Sequence, residues 1–149
     1  MKKFALFTLI ATMFIGTSVA CSKLDDDRPI TIDKLPTAVK TFVDKHFVGL
    51  EISYAKLDRN FGDNEYEVVL SNGSKIDFSS NGEWKEVDCE RGEVPASIIP
   101  EKIASYVAKS YPGTKVEKIS RSKRYYEVEL HNDLELTFDK EFNFLRVDD

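Results

Sequence analysis

The feature that most constrains the fold of this chain is an internal repeat. Residues 33–89 and 97–149 align in order, with one four-residue gap in the second copy. The matched segments are 33–36 with 97–100, 46–49 with 110–113, 66–70 with 126–130, and 87–88 with 147–148. Self-similarity of this kind indicates two copies of one supersecondary unit that bury their apolar faces together. With 149 residues, the chain suits a single domain built from both copies.

Each copy begins with a predicted amphipathic helix. Apolar residues recur at i, i+3, i+4 and i+8 in both copies, at Val39, Phe42, Val43 and Phe47 and at Ile103, Tyr106, Val107 and Tyr111. This one-sided stripe predicts a helix that covers something on one face only. Asp33 and Ser97 are the predicted N-caps. Gly49 and Gly113 are predicted to end the helices.

The rest of each copy alternates in the manner of β-strands. Residues 66–70 and 126–130 place apolar side chains on one side and mainly glutamates on the other. Asn72-Gly73 and Asn81-Gly82 predict hairpins with type I′ turns, and Asn132-Asp133 is a weaker signal of the same kind. Residues 52–58 and 116–121 are the predicted first strands of the two copies. Their apolar residues fall at both odd and even positions, so simple alternation does not put all of them on one side of the sheet.

The predicted fold class is therefore α+β, with two tandem α-β-β-β-β units forming an antiparallel sheet and both helices packed on one face. Two separate lobes are the alternative, and the short polar connector at 90–95 fits either arrangement. We favour the single sheet because about 55 residues alone give a marginal core.

The first twenty residues predict a secretory signal peptide. Two lysines precede an apolar run over 4–16, and a segment of mostly small residues at 17–20 follows it, as before a signal-peptide cleavage site. The run is too short for a membrane-spanning helix, which needs about 20 residues. The predicted organisation is a signal peptide at 1–20, an acidic linker at 21–32, a first repeat at 33–90 and a second repeat at 91–149, the repeats together forming one domain. The predicted location is outside the cytoplasm, as an exported periplasmic protein or as a lipoprotein associated with the outer membrane.

Cys21 follows the predicted cleavage point and is the lipidation candidate. Residues 19–21 resemble the end of a bacterial lipobox, with Ser18 departing from the leucine that the motif prefers. Residues 18–20 also fit an ordinary signal-peptidase site, which leaves Cys21 free to pair with Cys89. A membrane contact is expected only through a lipid at Cys21. Cys89 itself is expected to be a small buried side chain.

No pattern in the chain predicts catalysis. The formal net charge of −5 disfavours nucleic-acid binding, which needs clustered Lys and Arg. Neither histidine, His46 or His131, stands in a metal-ligand spacing. A nucleophile elbow, a phosphate loop and a zinc signature are all missing from the sequence. We therefore predict a protein that is not an enzyme, with no catalytic, cofactor-binding or metal-binding residues and no cofactor.

The motifs of both copies resemble a known family. Leu-Pro-x-x-Val begins at Leu35, Tyr-Glu-Val-x-Leu-x-Asn-Gly covers 66–73, and Asp-Phe-Ser-Ser-Asn-Gly-Glu-Trp-Lys-Glu-Val-Asp covers 77–88. They are similar to the PepSY-like, β-lactamase-inhibitor-protein-like family of exported bacterial proteins. The resemblance implies helix-plus-hairpin units that form a helix-backed antiparallel sheet. The β-lactamase inhibitor protein binds an enzyme through the open face of such a sheet, and PepSY modules have been proposed to restrain peptidases. A shared fold is weak evidence for a shared function.

Exposed aromatic side chains among charges are typical of recognition surfaces. We expect Trp84, Tyr125 and Tyr54 on the open face of the sheet, near Glu67 and Glu127. The alternative for Trp84 is packing on a neighbouring strand or against the helix layer. The predicted function is a non-catalytic envelope protein that binds a protein or peptide through this face. The alternatives are an inhibitor or regulator of a periplasmic peptidase or other enzyme, and a small-ligand binder.

Overall fold

The computed structural model describes residues 28–60, 63–90 and 92–149. The predicted signal peptide, the lipidation candidate Cys21 and most of the predicted acidic linker lie outside the described residues. The helices within these ranges are all too short or too polar to cross a membrane.

The described chain combines two α-helices with one antiparallel sheet, which confirms the α+β class. The helices are α1 (Thr37–His46) and α2 (Glu101–Ser110), and a 3-10 turn (Ile32–Lys34) precedes the first. The strands are β1 (Arg28–Pro29), β2 (Ile52–Asn60), β3 (Asp63–Leu70), β4 (Lys75–Phe78), β5 (Trp84–Asp88), β6 (Val116–Arg121), β7 (Tyr126–Leu130), β8 (Glu135–Phe138) and β9 (Phe144–Asp148). They lie side by side in chain order, and each is antiparallel to the next.

The order of elements is the same in an N-terminal half, from α1 to β5, and in a C-terminal half, from α2 to β9. Strand β1 is additional. It falls in the predicted acidic linker and pairs with β2 through Arg28 opposite Leu57. A two-residue strand carries no periodicity of its own, so only its neighbour in the sheet identifies it.

Both helices begin three residues later than the predicted N-caps place them. Pro36 and Pro100 occupy the N-cap positions, with ψ of 145° and 136°, and neither helix has a side-chain cap. The predicted caps Asp33 and Ser97 are wrong, because residues three positions before the N-cap are too far along the chain to reach the first-turn amides. Gly49 and Gly113 both adopt φ +83° in the turns that follow the helices, as expected for glycine at a helix C-terminus.

The hairpin turns are at the predicted places but are not of type I′. In the β3–β4 turn the Gly73 amide donates to the Leu70 carbonyl, and the Leu70 amide donates to the Ser74 carbonyl. This is a three-residue loop, a type I turn followed by one left-handed residue. The β4–β5, β7–β8 and β8–β9 turns repeat the pattern, with Gly82, Asp133 and Phe142 at the positive-φ position. Asn72, Asn81 and Asn132, which precede three of the positive-φ residues, are not at positive φ.

The core contains a continuous row of side chains across the sheet. Register places six fully buried residues side by side on β3 to β8, in the order Val68, Ile76, Val87, Ile119, Val128 and Leu136. Helix residues Val43 and Val107 are buried in the same core. Cys89 is part of this core and has no disulfide partner among the described residues.

Irregular register explains why the facing of the first strands was ambiguous. The pairing shifts between Ile52 and Tyr54 on β2 and between Val116 and Lys118 on β6. An extra residue in one strand reverses the alternation beyond it. Apolar side chains on both sides of the shift can therefore reach the same core.

Candidate binding face of the sheet

The side of the sheet opposite the buried row carries two rows of mostly polar residues. The first row crosses β2 to β9 through Lys56, Glu67, Asp77, Glu86, Ser120, Glu127, Thr137 and Arg146. The second follows the same strands through Tyr54, Val69, Lys75, Asp88, Lys118, Glu129, Glu135 and Asp148. We call these sixteen residues the polar face. At about 4.8 Å between strands it extends roughly 34 Å across the sheet.

Carboxylates on the polar face stand next to one another across strands. In the ladder, Glu67 is opposite Asp77, which is also opposite Glu86, and Glu135 is opposite both Glu129 and Asp148. Like charges directly opposite one another on neighbouring strands destabilise a sheet. The polar face therefore holds negative charge at a cost to folding.

Asp77 is at the centre of this charge. Its pKa is raised from 3.8 to about 6, first by burial and then by the neighbouring charges of Glu67 and Glu86. Lys56 acts in the opposite direction but does not outweigh them. The fields of the carboxylates thus reinforce one another on this part of the sheet.

The polar face carries eight carboxylates and four cations, and three of the cations pair with carboxylates of the same face: Lys56, Lys118 and Arg146. Lys56 Nζ lies 3.2 Å from Glu67 Oε2, and Lys118 Nζ lies 2.8 Å from Glu86 Oε1. Burial acts to lower the pKa of Lys118, but the hydrogen bond and charge of Glu86, with further carboxylates nearby, outweigh it and raise that pKa. These pairs hold their lysines in place and leave the surrounding glutamates in excess.

A shallow depression surrounds Lys118. It has a volume of about 90 Å³ and is lined by Glu86, Lys118, Ser120, Glu127, Glu129 and Glu135. Clefts that bind small molecules have volumes of about 300–1,000 Å³. This part of the polar face is thus too shallow to enclose a small molecule, and a larger surface would have to lie across it.

The structure distributes four of the predicted recognition residues over a wide area. Glu67 and Glu127 share the first row but lie four strands apart, roughly 19 Å. Tyr54 is in the second row and 41% exposed. Tyr125 is 40% exposed and lies in the β6–β7 turn, where its amide donates to Ser122 Oγ. These residues do not form one compact cluster.

Trp84 lies outside the polar face. Register places it opposite Phe78, and its half-buried ring packs against the core. The physical reason is a bulge, since Trp84 pairs with Phe78 and Glu86 with Asp77, which leaves Lys85 as an extra residue. Packing was the alternative weighed for this tryptophan.

The recognition residues predicted from the sequence did not include Asp77 or Lys118. Asp77 lies between the buried Ile76 and Phe78, so its side of the sheet was predictable from period two. Lys118 lies at the register shift in β6, where alternation does not fix the side of the sheet. The neighbours of both residues were not predictable, because opposition across strands depends on register, and register depends on turns and bulges. Among the residues that the structure describes, no three His, Cys, Asp or Glu side chains are arranged to hold a metal ion.

Three solved structures are similar to this chain over nearly their whole length. A Bacteroides vulgatus structure, described as a "putative periplasmic protein" of the DUF2874 family, is 40% identical with a TM-score of 0.81, and the match covers 85% of this chain and 99% of that one. A Bacteroides thetaiotaomicron structure, described as a "putative calcium-regulated periplasmic protein", is 42% identical with a TM-score of 0.80, covering 83% and 98%. A second Bacteroides vulgatus periplasmic protein, of unknown function, is 37% identical with a TM-score of 0.80, covering 83% and 99%.

A protein-family model described as "Putative beta-lactamase-inhibitor-like, PepSY-like" matches residues 64–146, which is more than half of the chain. No curated protein matches the chain. The family resemblance seen in the motifs is confirmed. The periplasmic descriptions of the relatives agree with the predicted export. The nine-strand antiparallel sheet, the family match and the three structures together show that this chain belongs to the PepSY-like, β-lactamase-inhibitor-like family.

Proposed function

We propose that this protein is a non-catalytic binding protein of the cell envelope, and that its polar face binds a basic segment of a protein or peptide. The observation that carries the proposal is the run of carboxylates opposite carboxylates on that face. Folding gains nothing from such neighbours, and departures from local stability rules are typical of functional sites. A partner with Lys or Arg side chains would relieve the repulsion on binding.

The dimensions of the polar face favour a macromolecular partner. Glu67 and Glu127 are separated by roughly 19 Å, and the depression between the strands is shallow. A peptide or a protein surface spans such a distance, whereas a small ligand does not. This argues against the small-ligand alternative for this face.

The proposal also requires the polar face to be uncovered, in two tandem units whose helices pack on the other side. Phe78 and Phe138 lie two residues from the buried Ile76 and Leu136, and so on their side of the sheet. Phe42 of α1 approaches Phe78 with ring centroids 5.4 Å apart, and Tyr106 of α2 approaches Phe138 at the same distance. These contacts support placing both helices on the buried side.

Binding of a synthetic Lys/Arg-rich peptide, followed by calorimetry over a salt series, tests the proposal. The double variant Glu127→Gln/Glu129→Gln should weaken binding about tenfold, and salt should weaken it for the unmodified protein. The matched control is Asp44→Asn/Glu101→Gln, which removes two exposed carboxylates from the helices. Equal binding of an uncharged peptide, or an equal loss in the control, contradicts the proposal.

The family description favours a second candidate, an inhibitor or regulator of a periplasmic enzyme. Assays of envelope peptidases and of a β-lactamase with micromolar protein test it directly. Inhibition that disappears in Glu127→Gln/Glu129→Gln would identify the polar face as the inhibitory surface. Full enzyme activity throughout would reject this candidate and leave the binding proposal to its own test.

Anchoring to the membrane stays an expectation for Cys21. Measuring the intact mass of the mature protein from native envelope distinguishes the outcomes. A lipidated N-terminal cysteine adds the mass of its acyl chains. An unmodified N-terminus would instead identify a freely diffusing periplasmic protein.

A further inference from the structure

A second surface feature lies at the boundary between the two halves, away from the centre of the polar face. It is a cleft of about 340 Å³ where the β4–β5, β6–β7 and β8–β9 turns come together. The lining residues are Ser79, Glu83, Trp84, Lys85, Arg121, Ser122, Lys123 and Lys140. Its volume is within the range of clefts that bind small molecules.

The cleft is basic in an acidic protein. Lys85 is paired with Glu65, but Arg121, Lys123 and Lys140 form no ion pair with any carboxylate of the described residues. The chain as a whole has a formal net charge of −5. Three cations without carboxylate partners around one cleft are therefore a local departure from the charge of the molecule.

Arg121 is held in a fixed orientation. Its Nε donates to the Trp84 carbonyl oxygen at 2.6 Å, and its guanidinium carbon lies 4.5 Å from the centre of the Trp84 ring. Its terminal amino groups donate to none of the described residues. A guanidinium fixed at Nε and stacked on one face presents its other two nitrogens as a fork suited to a phosphate or carboxylate.

Lys140 reaches the same cleft from the β8–β9 turn. Its Nζ donates to the Ser122 carbonyl oxygen at 3.1 Å and lies 4.6 Å from the centre of the Tyr126 ring. These contacts hold the ammonium group at the rim and leave donor hydrogens for another acceptor. The N-terminal half thus supplies Trp84, and the C-terminal half supplies the three cations without ion pairs.

We propose that this cleft binds a phosphate monoester. Three cations without carboxylate partners, set against the carboxylate of Glu83 in the same lining, leave two positive charges in the cleft. A phosphate monoester matches this charge, because it carries about −1.5 to −2 charges at pH 7 and three acceptor oxygens. Arg121 binds two of those oxygens, Lys140 and Lys123 contact the remaining negative charge, and the Trp84 side of the cleft accommodates the organic part of the ester.

Calorimetric titration with glycerol 3-phosphate tests the site, with acetate as the singly charged comparison. Saturable binding of the ester, at least tenfold tighter than that of acetate, is the expected result. Vesicles of phosphatidylcholine with and without phosphatidic acid form the second arm. Binding to the soluble ester identifies a free metabolite, and binding only to phosphatidic acid identifies a lipid headgroup. Failure of both probes, or equal binding of acetate, overturns the proposal.

The variant Arg121→Gln should weaken binding more than tenfold, because it removes the fork and one charge. The matched control is Lys45→Gln/Lys109→Gln, which removes two exposed helix lysines and should leave binding unchanged. Arg121 also bridges β5 and β6, so circular dichroism should accompany the titration. If Arg121→Gln does not fold, Lys123→Gln/Lys140→Gln decides, and unchanged binding in that double variant overturns the proposal.

Discussion

Trp84 and Phe144 occupy the same ladder position in the two halves, opposite Phe78 and Phe138, yet they have different partners. Phe144 stacks on Tyr106 of α2, with ring centroids 4.8 Å apart and planes within 13°. Trp84 is instead covered by Arg121 from the next strand. The difference follows from the sheet, since β5 has a neighbour in β6 whereas β9 is the last strand. Equivalent ladder positions in the two halves therefore take different partners, because different strands lie beside them in the sheet.

The turns before these residues differ in the same way. Gly82 approaches α1 so closely that a Cβ atom added to it would lie 2.8 Å from Ala38 Cβ. The corresponding turn position in the C-terminal half is Phe142, which has φ +62° and packs on Tyr126. There Lys102 of α2 reaches the turn by donating to the Glu141 carbonyl. In the N-terminal half the turn contacts the helix directly at Gly82 and Ala38, whereas in the C-terminal half the Lys102 side chain connects helix and turn.

The largest expected effect comes from the aromatic residues at the helix–sheet contact. Phe138 contacts the rings of both Tyr106 and Phe144, whereas Phe78 contacts that of Phe42. Substituting a buried Phe by Ala costs about 3–5 kcal/mol, and each aromatic pair adds about 0.5–1.5 kcal/mol. Urea unfolding should therefore show Phe138→Ala to be more destabilising than Phe78→Ala, by about 1 kcal/mol. Equal losses, or a larger loss for Phe78→Ala, would contradict the comparison.

A smaller effect is expected from the glycine at the close contact. Gly82→Ala should lower the free energy of unfolding by about 3 kcal/mol, through positive φ together with the clash with Ala38. The matched control is Gly73→Ala, where φ is +90° but nothing lies within 4 Å of the added atom, and about 1 kcal/mol is expected. Urea unfolding of both variants measures the difference. If the two losses are equal, the close contact contributes nothing.

The smallest expected effect on stability comes from Asp77, a charged residue of the polar face whose equivalent in the C-terminal half is uncharged. Asp77 corresponds to Thr137, and its pKa is raised to about 6 by burial and by Glu67 and Glu86. The folded state thus binds this proton more tightly than the unfolded chain. Its contribution to stability is complete below about pH 4 and is lost as pH rises through 6. Because Asp77 is only half-buried, solvent screening limits the loss to about 1 kcal/mol.

The variant Asp77→Thr gives the N-terminal half the residue of the C-terminal half. It should be more stable than the unmodified protein by about 1 kcal/mol at pH 7, and the difference should shrink towards pH 4. Urea unfolding at several pH values measures this. Asp44→Asn, on the exposed surface of α1, should show no such pH dependence. A constant difference from pH 4 to pH 7 would show that Asp77 does not titrate as proposed.

Much of the architecture was predictable because its causes are local. Period-two alternation at 66–70 and 126–130 needs only the geometry of a strand, and β3 and β7 lie there. The turn glycines Gly73 and Gly82 adopt positive φ, as their position after asparagine indicates. The type of turn was predicted wrongly, since the same Asn-Gly pair fits both a two-residue and a three-residue loop.

The polar face was only partly predictable. The side of the sheet for Glu67 and Glu127 follows from alternation, and the structure places both on the polar face. The opposition of Asp77 to two other carboxylates does not follow, because it requires the register of three strands at once. Trp84 was expected on that face, but one extra residue in β5 turns it towards the core.

By itself, the sequence determined the order of helices and strands, the places of the turns and the side of each regular strand. These depend on backbone preferences and on periods of 2 and 3.6, which act over a few residues. Only the tertiary structure decided that β5 pairs with β6. Because of this pairing, Arg121 covers Trp84 and a basic cleft forms in a protein whose polar face is acidic. Such contacts join residues far apart in the chain, and the packing of the whole sheet selects them.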